Sequence, residues 1–187
     1  MVYKKILEGM TVRLRSVELK DAEITYQMRS HPEKSSYIHK AAGTVVDQRA
    51  YIERQREREG DYFFLIENRK NEPIGMKGLY GHDPLNSTIE SGRFMGFGTQ
   101  IENMEALYLS FGFAFNVLGV ERINMSVLEL NTAMYGIQQK FGARELRRKY
   151  TPEFGCNDID SVLTREAYEK SGEKIDRLIK RFAERNQ

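Results

Sequence analysis

The 187-residue chain contains one cysteine, Cys156. An internal disulfide framework is thereby excluded, and the lone thiol fits a reducing compartment. No histidine lies near it in sequence, so it reads as a loop thiol rather than a nucleophile. Runs of about 18 apolar residues, the length a membrane helix needs, are absent. The opening stretch Met1-Val2-Tyr3-Lys4-Lys5-Ile6-Leu7 lacks the apolar centre of a signal peptide. A cytoplasmic protein is the expectation. Charge of one sign is missing too: 29 basic side chains stand against 27 acidic ones, for a net +2. No global field draws such a chain onto nucleic acid or a membrane. His31, His39 and His82 are scattered, with no helical or Cys-paired spacing, so no metal site is expected.

What is present is enough for one full core, since 40% of the residues are apolar and about 100 to 200 residues is the usual size of a domain. Residues 1–164 read as one domain and residues 165–187 as a C-terminal amphipathic helix. Thr11-Val12-Arg13-Leu14-Arg15 alternates with a period of two and predicts a first strand, followed by a helix over Asp21 to Met28. Thr44 and Asp47 have the spacing of a capping box, which predicts a helix from about Val45 to Arg58. Tyr62 to Glu67 and Pro73 to Tyr80, joined by the turn Arg69-Lys70-Asn71-Glu72, form an antiparallel hairpin, and Thr88 to Phe97 extends the meander.

Downstream, Glu105-Ala106-Leu107 opens an apolar helix ending near Gly119, Arg122 to Val127 is a strand, and Asn131 starts a helix closing at Lys140 to Ala143. Glu145 to Tyr150 and Asp158 to Thr164 are strand candidates for the far edge of the sheet, joined by the turn-rich Thr151-Pro152-Glu153-Phe154-Gly155. Ile175, Leu178, Ile179 and Phe182 make a helical stripe that docks on its own domain or forms a homodimer contact.

The order from Glu90 to Ala143, strand, tight turn, helix, strand, helix with Asn131 at the second strand's exit, resembles the GNAT superfamily of acetyltransferases over roughly residues 10 to 163. The likeness is to the branch containing ribosomal-protein N-acetyltransferases and nucleotide-amino-sugar N-acetyltransferases. It implies an α/β fold with a mixed, mostly antiparallel splayed sheet flanked by helices, and direct acetyl transfer from acetyl-CoA to a primary amine without a metal. Gly92-Arg93-Phe94-Met95-Gly96 resembles the strand whose bulge splays the sheet, so Phe94, Met95 and Gly96 are expected to offer main-chain groups to pantetheine. The turn that takes the pyrophosphate falls on Ile101, Glu102, Asn103 and Met104. Ile101 and Asn103 stand where the family has small residues, and Glu102 adds a negative charge. Thr99 and Glu102 also have capping-box spacing, which starts the helix one turn early.

Asn131 matches a cofactor-contacting Asn and is equally suited to cap the next helix. Glu90 is the first candidate for the base that receives the amine's proton, with Glu129 and His82 as alternatives. Seven residues after Asn131, where the family places a Tyr that protonates the leaving thiolate, stands Gln138. Either Tyr135, one turn earlier, or solvent takes that role. The segment Met28 to Glu33, Gln48 and Glu90 to Met95 resemble acetyltransferases of nucleotide-linked amino sugars, which makes Arg29, His31, His82 and Arg93 candidates for substrate binding. Arg147, Arg148 and Lys149 either join them or form a solvated edge. The alternatives are acetylation of a protein or peptide amino terminus, and a non-catalytic domain that binds CoA or a partner.

Overall fold

The computed structural model describes residues 1–37 and 43–185, so His39 lies outside the described residues. Among these, eight strands form one sheet in the order β1-β2-β3-β4-β5-β6-β8-β7. The strands are β1 (Leu7–Glu8), β2 (Val12–Ser16), β3 (Tyr62–Asn68), β4 (Pro73–Asp83), β5 (Thr88–Gly96), β6 (Arg122–Leu128), β7 (Arg144–Thr151) and β8 (Cys156–Thr164). The helices are α1 (Ala22–Arg29), α2 (Val45–Glu57), α3 (Gln100–Gly112), α4 (Thr132–Lys140) and α5 (Arg165–Arg185). All neighbours pair antiparallel except β5 with β6. The mostly antiparallel α/β architecture expected from the sequence is the one observed.

The sheet carries a core on each face. One is built from Leu14, Phe64, Ile66, Leu79, Ile89 and Ile123 against Leu107, Phe111 and Phe115, and the other from Ile52, Phe63, Leu65, Met76 and Met95 under α1 and α2. The capping box at α2 forms as expected, with Thr44 and Asp47 exchanging hydrogen bonds. Helix α5 belongs to the first core, where Tyr168 stacks on Tyr108 at 5.2 Å and Ile175 and Ile179 are buried.

Of the two starts that the sequence offers α3, the structure takes the earlier: the helix begins at Gln100 rather than Glu105, because Thr99 Oγ1 accepts from Glu102 N at 3.2 Å and the Glu102 carboxylate accepts from Thr99 N at 2.7 Å. Glu105 therefore sits inside the helix, buried, where its carboxylate takes the amides of Met10 (2.5 Å) and Thr11 (2.7 Å) and ties α3 to the sheet beside β2. Beyond Gly112 the helix widens into a π turn over Phe113–Val117, with Leu118 N donating to Phe113 O at 3.1 Å.

The splay has a simple cause. Gly78 pairs with Gly92 and Met76 with Met95, so Lys77 alone opposes both Arg93 and Phe94. That is a bulge in β5. Arg93 takes φ 52°, a conformation that costs a non-glycine residue energy. Parallel pairing of β5 with β6 runs from Thr88–Arg122 to Ser91–Met125 and stops. Beyond this fork the β5 edge from Gly92 to Gly96 and the β6 edge from Ser126 to Leu128 face each other unpaired.

Candidate active site

A cavity of about 350 Å³ opens at the fork. Its floor is Lys77, Glu90, Ser91 and Gly92, one wall is Arg93 and Phe94, and the other is Ser126, Val127 and Leu128 with Asn131, Met134 and Gln138. Arg29, Tyr37, Tyr80, Thr151, Phe154 and Asp158 complete the rim. Unpaired strand edges of this kind offer amides and carbonyls to an extended ligand with amide groups of its own. A second, 500 Å³ hollow lies apart from it, between the end of α4 and the start of α5.

The cavity brings together Glu90, Arg93, Phe94, Asn131, Gln138 and Arg29 from the sequence expectation. Glu90 accepts from Asn124 Nδ2 at 3.1 Å across the β5–β6 pair. Asn131 caps α4, its Oδ1 accepting from Met134 N at 3.1 Å, and lies on the wall at the same time. Gln138 is 2% exposed and its Oε1 has no hydrogen-bond partner among the described residues. Met95 is buried beside β4, and Gly96 ends β5, its carbonyl receiving the Lys34 ammonium. A side chain in place of the Gly96 hydrogen would collide with Asn103.

Arg93 is largely committed inside the protein. Its guanidinium forks onto Asp61 at 2.5 and 2.9 Å and lies 4.4 Å from the centre of the Tyr80 ring. Burial opposes its charge most strongly, but the hydrogen bonds to Asp61 together with the charge interactions of Tyr51, Asp61 and Tyr80 outweigh it and raise its pKa.

Ile101, Glu102, Asn103 and Met104 form the first turn of α3, beyond the end of β5 and away from the cavity floor. There the capping box occupies two amides, and Asn103 Nδ2 donates to Gly98 O at 3.0 Å. A helix N-terminus still carries a positive dipole end.

Other sequence candidates lie off the cavity wall. Tyr135 donates its hydroxyl to Glu145 at 2.9 Å. His31 packs its ring against Phe97 at 5.3 Å. His82 follows β4's core pairing, its amide bonded to Gly60 O. Glu129 accepts from the backbone and side-chain nitrogens of Asn157, which lowers its pKa. Gln48 is buried, donating to Thr25 at 3.1 Å. Arg147 and Arg148 pair with Asp160 and Glu145 on exposed β7.

Lys77 and Ser91 received no role from the sequence. Lys77 is 1% exposed, and its Nζ lies 2.7 Å from Ser91 Oγ and 3.1 Å from Gly92 O. Burial, with the charge of Arg93 adding to it, lowers its pKa to about 7. The signal was available: a single lysine stands in the apolar run Ile74 to Leu79, where a strand buried on both faces has no solvent for an ammonium.

Residues 11–144 match the family model described as acetyltransferase (GNAT) domain. Among solved structures, the apo form of FdhC, described as a nucleotide-linked sugar GNAT, superposes with a TM-score of 0.82 at 23% identity, covering 96% of this chain and 99% of that one. A GCN5-related N-acetyltransferase from Brucella melitensis gives 0.79 at 16% identity, over 95% and 86% of the two chains. Spermidine N-acetyltransferase from Vibrio cholerae, in complex with CoA and spermine, gives 0.77 at 12%, over 86% and 99%. No curated protein matches the chain by sequence.

Proposed function

The chain belongs to the GNAT acetyltransferase family, with acetyl-CoA as its co-substrate, and we propose that it acetylates the amino group of a nucleotide-linked amino sugar. The observation that carries this reading is the rim of the cavity, where Arg29 stands with the aromatic rings of Tyr37, Tyr80 and Phe154. A guanidinium binds a diphosphate through paired charge-assisted hydrogen bonds, and aromatic rings stack on a base. A polyamine or a cationic peptide asks for the opposite wall, rich in carboxylates. The description of FdhC as a nucleotide-linked sugar GNAT points the same way.

In this reading the pantetheine arm lies along the unpaired β5 edge, paired with the main chain of Phe94, Met95 and Gly96. The pyrophosphate meets the turn from Gly98 into α3, where Ile101 to Met104 frame it, and Asn131 and Gln138 line the reactive end. Glu90 receives the incoming ammonium as its counter-charge at the floor. The ammonium sheds one proton to solvent, and the neutral amine then attacks, converting the thioester to an amide with loss of the nitrogen's second proton and release of the thiolate.

The test is thiol release from acetyl-CoA with three acceptor classes: nucleotide-linked amino sugars, amino-terminal peptides and spermidine. Turnover at least about tenfold faster on a nucleotide amino sugar is expected, in line with what a charge-assisted diphosphate contact contributes to binding. Release on peptides or spermidine alone overturns the acceptor class. Binding of acetyl-CoA with no release on any amine leaves a non-catalytic CoA-binding domain.

A further inference from the structure

The mechanism above uses Glu90 as a counter-charge and leaves a buried lysine at the cavity floor without a task. Resting on the amine-acetylating function just proposed, we infer that Ser91 and Lys77 form the relay that removes the acceptor amine's proton. Ser91 Oγ receives it at the cavity while passing its own hydrogen to Lys77 Nζ.

Position comes first. Ser91 is the last residue of β5 paired with β6, so its side chain stands where the strands part, on the cavity floor. Lys77 comes from the neighbouring strand, opposite the bulge, and touches Ser91 Oγ at 2.7 Å and Gly92 O at 3.1 Å. A carbonyl can only accept, so Nζ donates to Gly92 O. A neutral amine making that bond still has a lone pair to accept the Ser91 hydroxyl. Ser91 Oγ then keeps its own lone pairs for an N–H arriving in the cavity.

The surroundings favour the neutral amine. Phe64 lies opposite Lys77 on β3, and the Phe111 ring of α3 is 5.9 Å from Nζ. The charged or titratable groups around the same cavity are Arg93 and Glu90 on β5, Tyr80 on β4, Asp158 on β8, Arg29 on α1 and Tyr37. Among the described residues none of the carboxylates forms an ion pair with Lys77. Asp61 is spent on Arg93, and Glu90 is bonded to Asn124. Buried and unpaired, an ammonium here is costly, and a pKa lowered to about 7 leaves the base half available at neutral pH.

The step balances within the site. The amine nitrogen bonds to the acetyl carbon, the carbon–sulfur bond breaks, and sulfur leaves with the electron pair. The nitrogen's proton passes to Ser91 Oγ and the Ser91 proton to Lys77 Nζ, making an ammonium. After the products leave, that proton returns to water.

Two measurements test this. First, protein carrying 13C at lysine Cε is titrated by NMR, with Lys77→Met identifying the resonance. A midpoint near 7 is expected, and a Lys77 signal still that of an ammonium at pH 9 overturns the relay without any appeal to turnover. Second, kcat/KM is measured against pH for the wild type, Lys77→Met and Ser91→Ala on one acceptor. Both variants should lose about 100-fold in kcat, with acetyl-CoA affinity unchanged, and Lys77→Met should lose the decline that the wild type shows as pH falls through 7. Ser91→Ala carries the test if Lys77→Met fails to fold. Wild-type rate and profile in Ser91→Ala overturn the relay alone, whereas no thiol release by the wild type on any acceptor overturns the transferase reading and the relay with it.

Discussion

The Arg93 guanidinium and the Asp61 carboxylate meet in a two-pronged bond of 2.5 and 2.9 Å directly beside the β5 bulge. Asp61 is 1% exposed, and Arg93 is held in a left-handed backbone conformation that only a well-determined surrounding maintains. The pair therefore fixes the strand distortion that opens the cavity. Asp61→Asn leaves a mostly buried guanidinium without its counter-charge, and a loss of about 3 kcal/mol is expected from chemical denaturation. Weaker acetyl-CoA binding should accompany it, because the free edge of β5 depends on the bulge. A variant as stable as the wild type would assign the bulge to the chain's own pairing instead.

Glu102 sets a second prediction. Its carboxylate closes the capping box on Thr99 and sits at the positive end of α3, where a pyrophosphate is expected. Glu102→Gln keeps the box, since a glutamine amide oxygen accepts from the same nitrogen, and removes the repulsion. Acetyl-CoA should bind tighter by roughly 1 kcal/mol in low salt, and the gain should shrink as salt screens it. Calorimetry at two ionic strengths measures both; unchanged affinity in low salt would place the pyrophosphate elsewhere.

The elements of the fold could be read because their signals are local. The alternation of Thr11 to Arg15, the Thr44 capping box and the hairpin turn at Arg69 to Glu72 each act within a few residues, and each element lies where those signals put it. The order of the last two strands is a tertiary outcome. β8 inserts between β6 and β7, and composition explains it afterwards: Ile159, Val162 and Leu163 are buried, whereas β7 carries Arg144, Arg147, Arg148 and Lys149 and can only be an edge. In the site, Glu90, Asn131 and Gln138 were found through family spacing. The Ser91–Lys77 contact joins two strands 14 residues apart, and only the register across the bulge brings them together. Asp61 was missed for the same reason, since its partner lies 32 residues on.

Tyr135 tests how the thiolate is protonated. Its hydroxyl donates to Glu145, whose carboxylate is also held by Arg148 at 2.8 and 3.0 Å. The bond to Glu145 raises the phenol's pKa, and its proton points away from the cavity wall. Tyr135→Phe should leave kcat within about twofold of the wild type, far from the 100-fold or more that a general acid contributes. Steady-state thiol release measures this, and a loss of that size would bring Tyr135 into the reaction.

Lys77 also makes stability depend on pH, in the same direction as a paired carboxylate but in a window several pH units higher. In the unfolded chain it titrates near the ordinary value of 10.5, and in the folded protein burial lowers it to about 7. Between these values the unfolded state holds a proton that the folded state does not, so stability rises with pH through this window. The penalty is complete below the folded value and gone above the unfolded one. Each pKa unit of the gap corresponds to about 1.4 kcal/mol, which makes the effect visible in thermal unfolding between pH 6 and pH 9. The wild type should melt at a higher temperature at pH 9 than at pH 6. Lys77→Met, with an apolar side chain of similar length, should remove most of that difference and melt above the wild type at pH 6. Equal pH slopes in the two proteins would mean that Lys77 stays charged in the fold, balanced by a group that moves toward it.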